Sequence, residues 1–111
     1  MISWALTIDD HTGTHTIEAD TATDRAAAVT AAADAVRSAI LTAPAAAAEH
    51  PPRLTITIDT DVEFIVGMST DALGKLDRDT ALDLTDRYER DALTDITRNE
   101  AVGRGRAEPG E

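Results

Sequence analysis

The chain has 111 residues and no cysteine, so it fits one ordinary domain held by packing rather than by disulfides. Thiolate zinc sites and cysteine nucleophiles are excluded with the cysteines. The net charge of −11, from 21 acidic and 10 basic residues, opposes direct binding to nucleic acid or to anionic membrane.

No apolar run approaches the roughly 18–20 residues that span a bilayer. The opening "MISWALTIDD" lacks the basic region and small-residue cleavage site of a signal peptide. A cytoplasmic protein is expected. The aromatic residues are Trp4, Phe64 and Tyr88, too few for a base- or sugar-stacking platform.

"ISWALTI" alternates with period two. Ile2, Trp4, Leu6 and Ile8 fall on one side; Ser3, Ala5, Thr7 and Asp9 fall on the other. This predicts a strand with one buried face, and "THTIEA" predicts its hairpin partner. A four-residue connection, His11 to Thr14, would set Ile8 against Ile17, Leu6 against Ala19, and Asp10 against His15. Gly13 supplies the left-handed residue of that turn.

"TATDRAAAVTAAADAVRSAILTA" predicts a first helix over about residues 22–43, with Thr21 and Asp24 as a capping box and Pro44 as its end. Val29, Ala33, Val36 and Ile40 make a narrow apolar stripe whose alanines let the helix lie close to a sheet. "RLTITIDTDVEFIVGM" predicts two further strands joined at Asp59 to Asp61, a turn that lacks glycine. A second helix is predicted from Ser69 or Thr70 to Arg98, broken near Gly74 into a short piece and a longer one from about Asp77. Residues 99–111, with three glycines and a proline, read as a disordered tail after a single domain over residues 1–98.

The order β-β-α-β-β-α points to an α+β fold: a four-stranded antiparallel sheet with two helices packed on one face. The opposite face would be wet and would carry Thr7, Thr16, Glu18, Thr55, Thr57 and Glu63.

Four constellations bear on function. Asp10, His11 and His15 have metal-ligating side chains, but a fourth convergent ligand is missing, so they read as a cross-strand pair beside a solvated imidazole. No metal or other cofactor is expected. The abundant carboxylates make pairs such as Asp9–Asp10 inevitable, and neither a Ser-His-Asp order nor a phosphate-binding glycine loop is present; no catalytic residue is assigned and no enzyme is expected. On the second helix, Leu73, Leu76, Leu84 and Tyr88 form one apolar stripe. Leu82, Leu93 and Ile96 fall on another, about 140–200° round the wheel from Leu73. One helix cannot bury both against one sheet: either it breaks near Asp77 and re-aims so that every apolar residue is core, or Leu82, Leu93 and Ile96 are the candidate partner-binding residues, for another protein or a second copy of this chain. Asp77, Asp79, Asp83, Asp86, Glu89, Asp91 and Asp95 could instead form a ridge that imitates nucleic-acid phosphates, although four arginines interrupt it.

The expectation is therefore a small acidic protein-binding or accessory module that self-associates or docks through its last helix. The alternatives are an acidic inhibitor of a nucleic-acid-binding protein, and a small enzyme or small-molecule binder.

Overall fold

A computed structural model describes the backbone of residues 1–106 and the side chains of residues 1–98. The elements are β1 (Ile2–Asp10), β2 (Gly13–Ala22), α1 (Arg25–Thr42), a 3-10 turn (Ala45–Ala48), β3 (Arg53–Ile58), β4 (Asp61–Gly67) and α2 (Arg78–Arg106). The sheet is antiparallel throughout, with order β2-β1-β3-β4. The α+β architecture read from the sequence is the one observed. The second helix, expected to end at Arg98, is described to Arg106; of the tail expected over residues 99–111, residues 107–111 lie outside the described residues.

The two strands with the cleanest alternation, β1 and β3, take the central positions, where both edges are hydrogen-bonded. Trp4, Leu6, Leu54, Ile56 and Ile58 point inward and are buried, while Thr7, Thr55 and Thr57 line the reverse face at intermediate exposure. The reverse face also carries Val62 and Ile65, which are 62% and 52% exposed. One face of the sheet packs and the other stays wet, as period-two patterning dictates.

The edge strands depart from simple alternation. The β1–β2 hairpin turns on two residues, His11 and Thr12, not on the expected four. Leu6 lies opposite Glu18 and Asp10 opposite Gly13, with a bulge at Ile17. A bulge inserts one unpaired residue and resets which side chains face inward. Before it His15 shares a face with Ile8, and after it Glu18 shares a face with Leu6, so the expected pairing of Leu6 with Ala19 does not form. In β4 a second bulge falls at Glu63, between the pairs Thr57↔Val62 and Ile56↔Phe64. It turns Glu63 toward the helices, where its carboxylate meets Arg25 at 2.6 Å. Glu18 and Glu63 thus leave the reverse face to which the sequence pattern assigns them. Bulges on both edge strands also blunt the open edges against strand addition.

The β3–β4 turn consists of Asp59 and Thr60, both left-handed at φ +53° and +70°. Two positive φ values match the twist of a two-residue hairpin, which is why the hairpin forms without glycine. Aspartate tolerates this region, but a β-branched threonine is strained there. Thr60→Gly is expected to raise stability by about 0.5–1 kcal/mol, read as an increased urea midpoint at unchanged m-value.

Helix α1 starts three residues later than the pattern suggests, because Thr21 belongs to β2 and Asp24 is the cap itself. The Asp24 carboxylate accepts from the Ala27 amide at 2.8 Å. Ala28, Val29, Ala32, Ala33, Val36 and Ile40 are fully buried. Small side chains at these positions let the helix backbone approach the sheet. α1 has no basic residue in its last turn. Arg78, 38 residues beyond Ile40, supplies that charge: its guanidinium donates to the carbonyls of Ile40 and Ala43 at 2.5 and 2.8 Å. A cation there offsets the negative end of the helix dipole.

Residues 69–76 are not helical. Asp71 accepts from the Leu73 and Lys75 amides at 2.9 and 3.0 Å, Thr70 bridges to Leu76, and Gly74 turns at φ +78°. The first apolar stripe is corrected accordingly: Leu73 sits in this turn, 80% exposed, and belongs to no helix face. Asp77 then caps α2 by accepting from the Thr80 amide at 3.1 Å and the Thr80 hydroxyl at 2.7 Å. Those bonds hold its carboxyl below the usual carboxylate range. α2 buries Ala81 and Thr85, and Thr85 Oγ1 donates to the Ala81 carbonyl at 2.8 Å.

The two helices are antiparallel, since the contacts run in opposite order along them: Arg78 with Ile40, then Asp86 and Glu89 with Arg37. α1 has 18 residues and α2 has 29, about 27 and 43 Å at roughly 1.5 Å per residue. α2 therefore outruns its neighbour.

Candidate functional site

The three residues that the sequence marks for docking do not form one open stripe. Leu82, Leu93 and Ile96 are each half-buried and pack against the core. Leu93 lies on the α1 side of α2, beside Arg37, Asp86 and Glu89. Ile96 lies on the β4 side, in a groove with Leu84, Tyr88 and Phe64. Among the described residues of α2, the large apolar side chain left most open is Leu84, 40% exposed.

That groove, about 830 Å³, lies between β4, α2 and the start of α1. It exists because β4 is an edge strand and α2 lies mainly against α1, so the angle between α2 and β4 is incompletely filled. Its floor is aromatic. Phe64 and Tyr88 stack with centroids 4.6 Å apart and planes 11° from parallel. Leu84, Ala92 and Ile96 continue the apolar surface, and Glu63, Asp91 and Asp95 border it, with Arg25 as the one basic lining residue.

The Tyr88 hydroxyl oxygen is buried and has no hydrogen-bond partner among the described residues. Burial, and then the charge of Glu63, push its pKa up to about 12, partly opposed by Arg25. Its O–H is a donor held in place without an acceptor. Such groups are rare, because a buried unmatched polar atom costs about 1–3 kcal/mol.

The acidic ridge of α2 is divided by its own neighbours. Asp86 and Glu89 turn to Arg37, Asp83 pairs with Arg87 at 3.1 Å, Asp95 pairs with Arg98 at 3.7 Å, and Asp77 caps the helix. Of the ridge, Asp91 and the Arg98-paired Asp95 border the groove.

The N-terminal hairpin resolves differently from the expected Asp10–His15 pair. Asp10 accepts from the Thr12 amide and hydroxyl at 2.8 and 2.6 Å, and Thr12 Oγ1 lies 2.9 Å from His15 Nε2. Thr12 stands between the two. The Thr12 bonds hold the Asp10 carboxyl below its ordinary range, with His15 and His11 adding smaller contributions. His11 instead meets His50, ring centroids 5.1 Å apart. Among the described residues no group of three or more His, Asp or Glu side chains converges as a metal site. No helix among them is long and apolar enough to cross a membrane.

Phe64, Tyr88 and Glu63 of the groove are the residues that the sequence left unassigned as a site. The aromatic pair is 24 positions apart in sequence and meets only through the packing of α2 on β4. Glu63 reaches the groove through a bulge that no local pattern announces. No family model matches this chain, and neither a curated protein nor a solved structure matches it.

Proposed function

We propose that this chain is a protein-binding module whose groove between α2 and β4 receives an amphipathic helix with basic flanks from a partner protein. The observation that carries this reading is the groove's composition: a stacked aromatic floor with an acidic border. Helix-in-groove recognition uses apolar anchors spaced by three or four residues. Carboxylates at the edge steer a basic partner and select against an acidic one. The net charge of −11 on every copy favours an oppositely charged partner over a second copy.

The test is fluorescence anisotropy with a labelled synthetic helix carrying leucines at i, i+4 and i+7 and arginines beside them. Wild-type protein is expected to bind it, and a glutamate-for-arginine version is expected not to bind. Leu84→Asp should weaken binding at least tenfold with the fold intact, since Leu84 is already partly exposed. Equal binding by wild type and Leu84→Asp would reduce the interaction to charge alone and refute the groove. Homodimers in light scattering that vanish with Leu84→Asp would reassign the groove to self-association.

Tyr88→Phe separates stability from binding. Removing the orphan hydroxyl is expected to stabilise the free protein by about 1 kcal/mol. It should also abolish a pH effect. The folded-state pKa lies above the ordinary value of 10.0, so the unfolded chain ionises first, and the stabilising contribution is present below pH 10 and lost between pH 10 and about 12. Urea titrations across that range check both points.

A further inference from the structure

A second depression lies at the other end of α1, beneath the 3-10 turn. It encloses about 320 Å³, at the lower end of the range for small-molecule sites, roughly 300–1,000 Å³. Ile8, Leu54 and Met68 form its sheet side, Ala39 and Ala43 its helix side, and Ala47 its cover. Close-packed interiors leave few voids larger than a water molecule. This one has room for about ten non-hydrogen atoms at roughly 30 Å³ each, and its walls give a water few polar partners.

The polar groups gather at the mouth. His11 and His50 come from opposite sides of it, with ring planes 31° apart. Asp10 lines the same rim, and both of its bonds from Thr12 go to Oδ1. In the crevice just outside stand Asp9, Glu49 and Arg53, with Arg53 held by Asp9 at 3.0 Å. Three carboxylates against one guanidinium make the entrance anionic. That balance excludes a carboxylate or phosphate head and favours a cation.

We infer that this cavity binds a small apolar amine, with its hydrocarbon body among the alanines and its ammonium at the mouth between Asp10 Oδ2 and the two imidazoles. Asp10 supplies a charge-assisted acceptor, and an imidazole nitrogen can supply a second. The site is separate from the α2–β4 groove, which lies at the other end of α1 and is lined by none of these residues.

The full chain is titrated at pH 7 with 1-hexylamine, 1-hexanol and hexanoate, followed by backbone amide NMR. The amine is expected to give saturable shifts at Ile17, Ala39, Ala47 and Met68, with a Kd at least tenfold below that of hexanoate and with hexanol between them. Asp10→Asn, which still accepts from Thr12, should bring the amine to the level of the alcohol. Ala47→Phe should fill the void and abolish binding of both. Hexanoate binding as tightly as the amine would overturn the head-group assignment. Unsaturable or scattered shifts with all three probes would overturn the site itself.

Discussion

Ile56→Ala is expected to lower stability by about 3–4 kcal/mol, the range in which buried isoleucine truncations that leave a cavity fall. Ile56 is fully buried on β3, paired with Leu6 on one side and Phe64 on the other. The two strands beside it and α1 above it leave the site little freedom to collapse. A domain of this size has roughly 5–15 kcal/mol in total, so the variant should retain its fold with a markedly lower urea midpoint. Ile65→Ala makes the same chemical change on the reverse face of the same sheet, where Ile65 is 52% exposed. Its expected cost is below about 1 kcal/mol. Similar losses for both variants would mean that the reverse face is also packed, and the one-sided sheet would be wrong.

Arg37→Met is expected to cost about 2–3 kcal/mol, out of proportion to a surface arginine. Exposed ion pairs contribute little, with a median near 0–1 kcal/mol. Arg37 differs because one guanidinium joins three acids on two helices: Asp34 at 2.8 Å, Asp86 at 2.9 Å and Glu89. The Glu89 side chain is only 19% exposed. Removing the arginine leaves that carboxylate largely desolvated and unmatched, and this penalty dominates the loss. Glu89→Gln added to Arg37→Met removes the stranded charge, so the double variant should recover more than half of the deficit. If the two changes are simply additive in a double-mutant cycle, the network is not a coupled unit.

The same arginine shows why the acidic ridge could not be judged from sequence. Seven carboxylates along "DRDTALDLTDRYERDALTD" read as one face, yet Asp86 and Glu89 are answered by a residue 49 and 52 positions earlier. Arg78 capping the end of α1 is a contact of the same kind. Asp83–Arg87, four residues apart on one helix, is by contrast a pair that local spacing allows, and it is present.

The groove was the least legible feature. Helical periodicity sorts the apolar residues of α2 into stripes, and Ile96 was set on a different stripe from Tyr88, yet the two lie only about 80° apart at roughly 100° per residue and line one groove. Leu73, from which the wheel was counted, belongs to no helix, since α2 begins only at Arg78, and dividing the remaining residues into two stripes parted near neighbours. The axis of burial runs through Ala81 and Thr85, small side chains that a search for large apolar residues passes over.

What the sequence determined by itself is the element order, the inward faces of β1, β3 and α1, the start of α2 beside Asp77, and the absence of a thiol. These follow from short-range periodicity: two residues in a strand and 3.6 in a helix fix which side chains share a face wherever the backbone is regular. Tertiary structure alone decided the two bulges, the partners of Arg37 and Arg78, and the groove and cavity at either end of α1. Each depends on chain segments meeting from afar, and a bulge shifts the phase of everything beyond it by one residue. Local pattern carries no record of either.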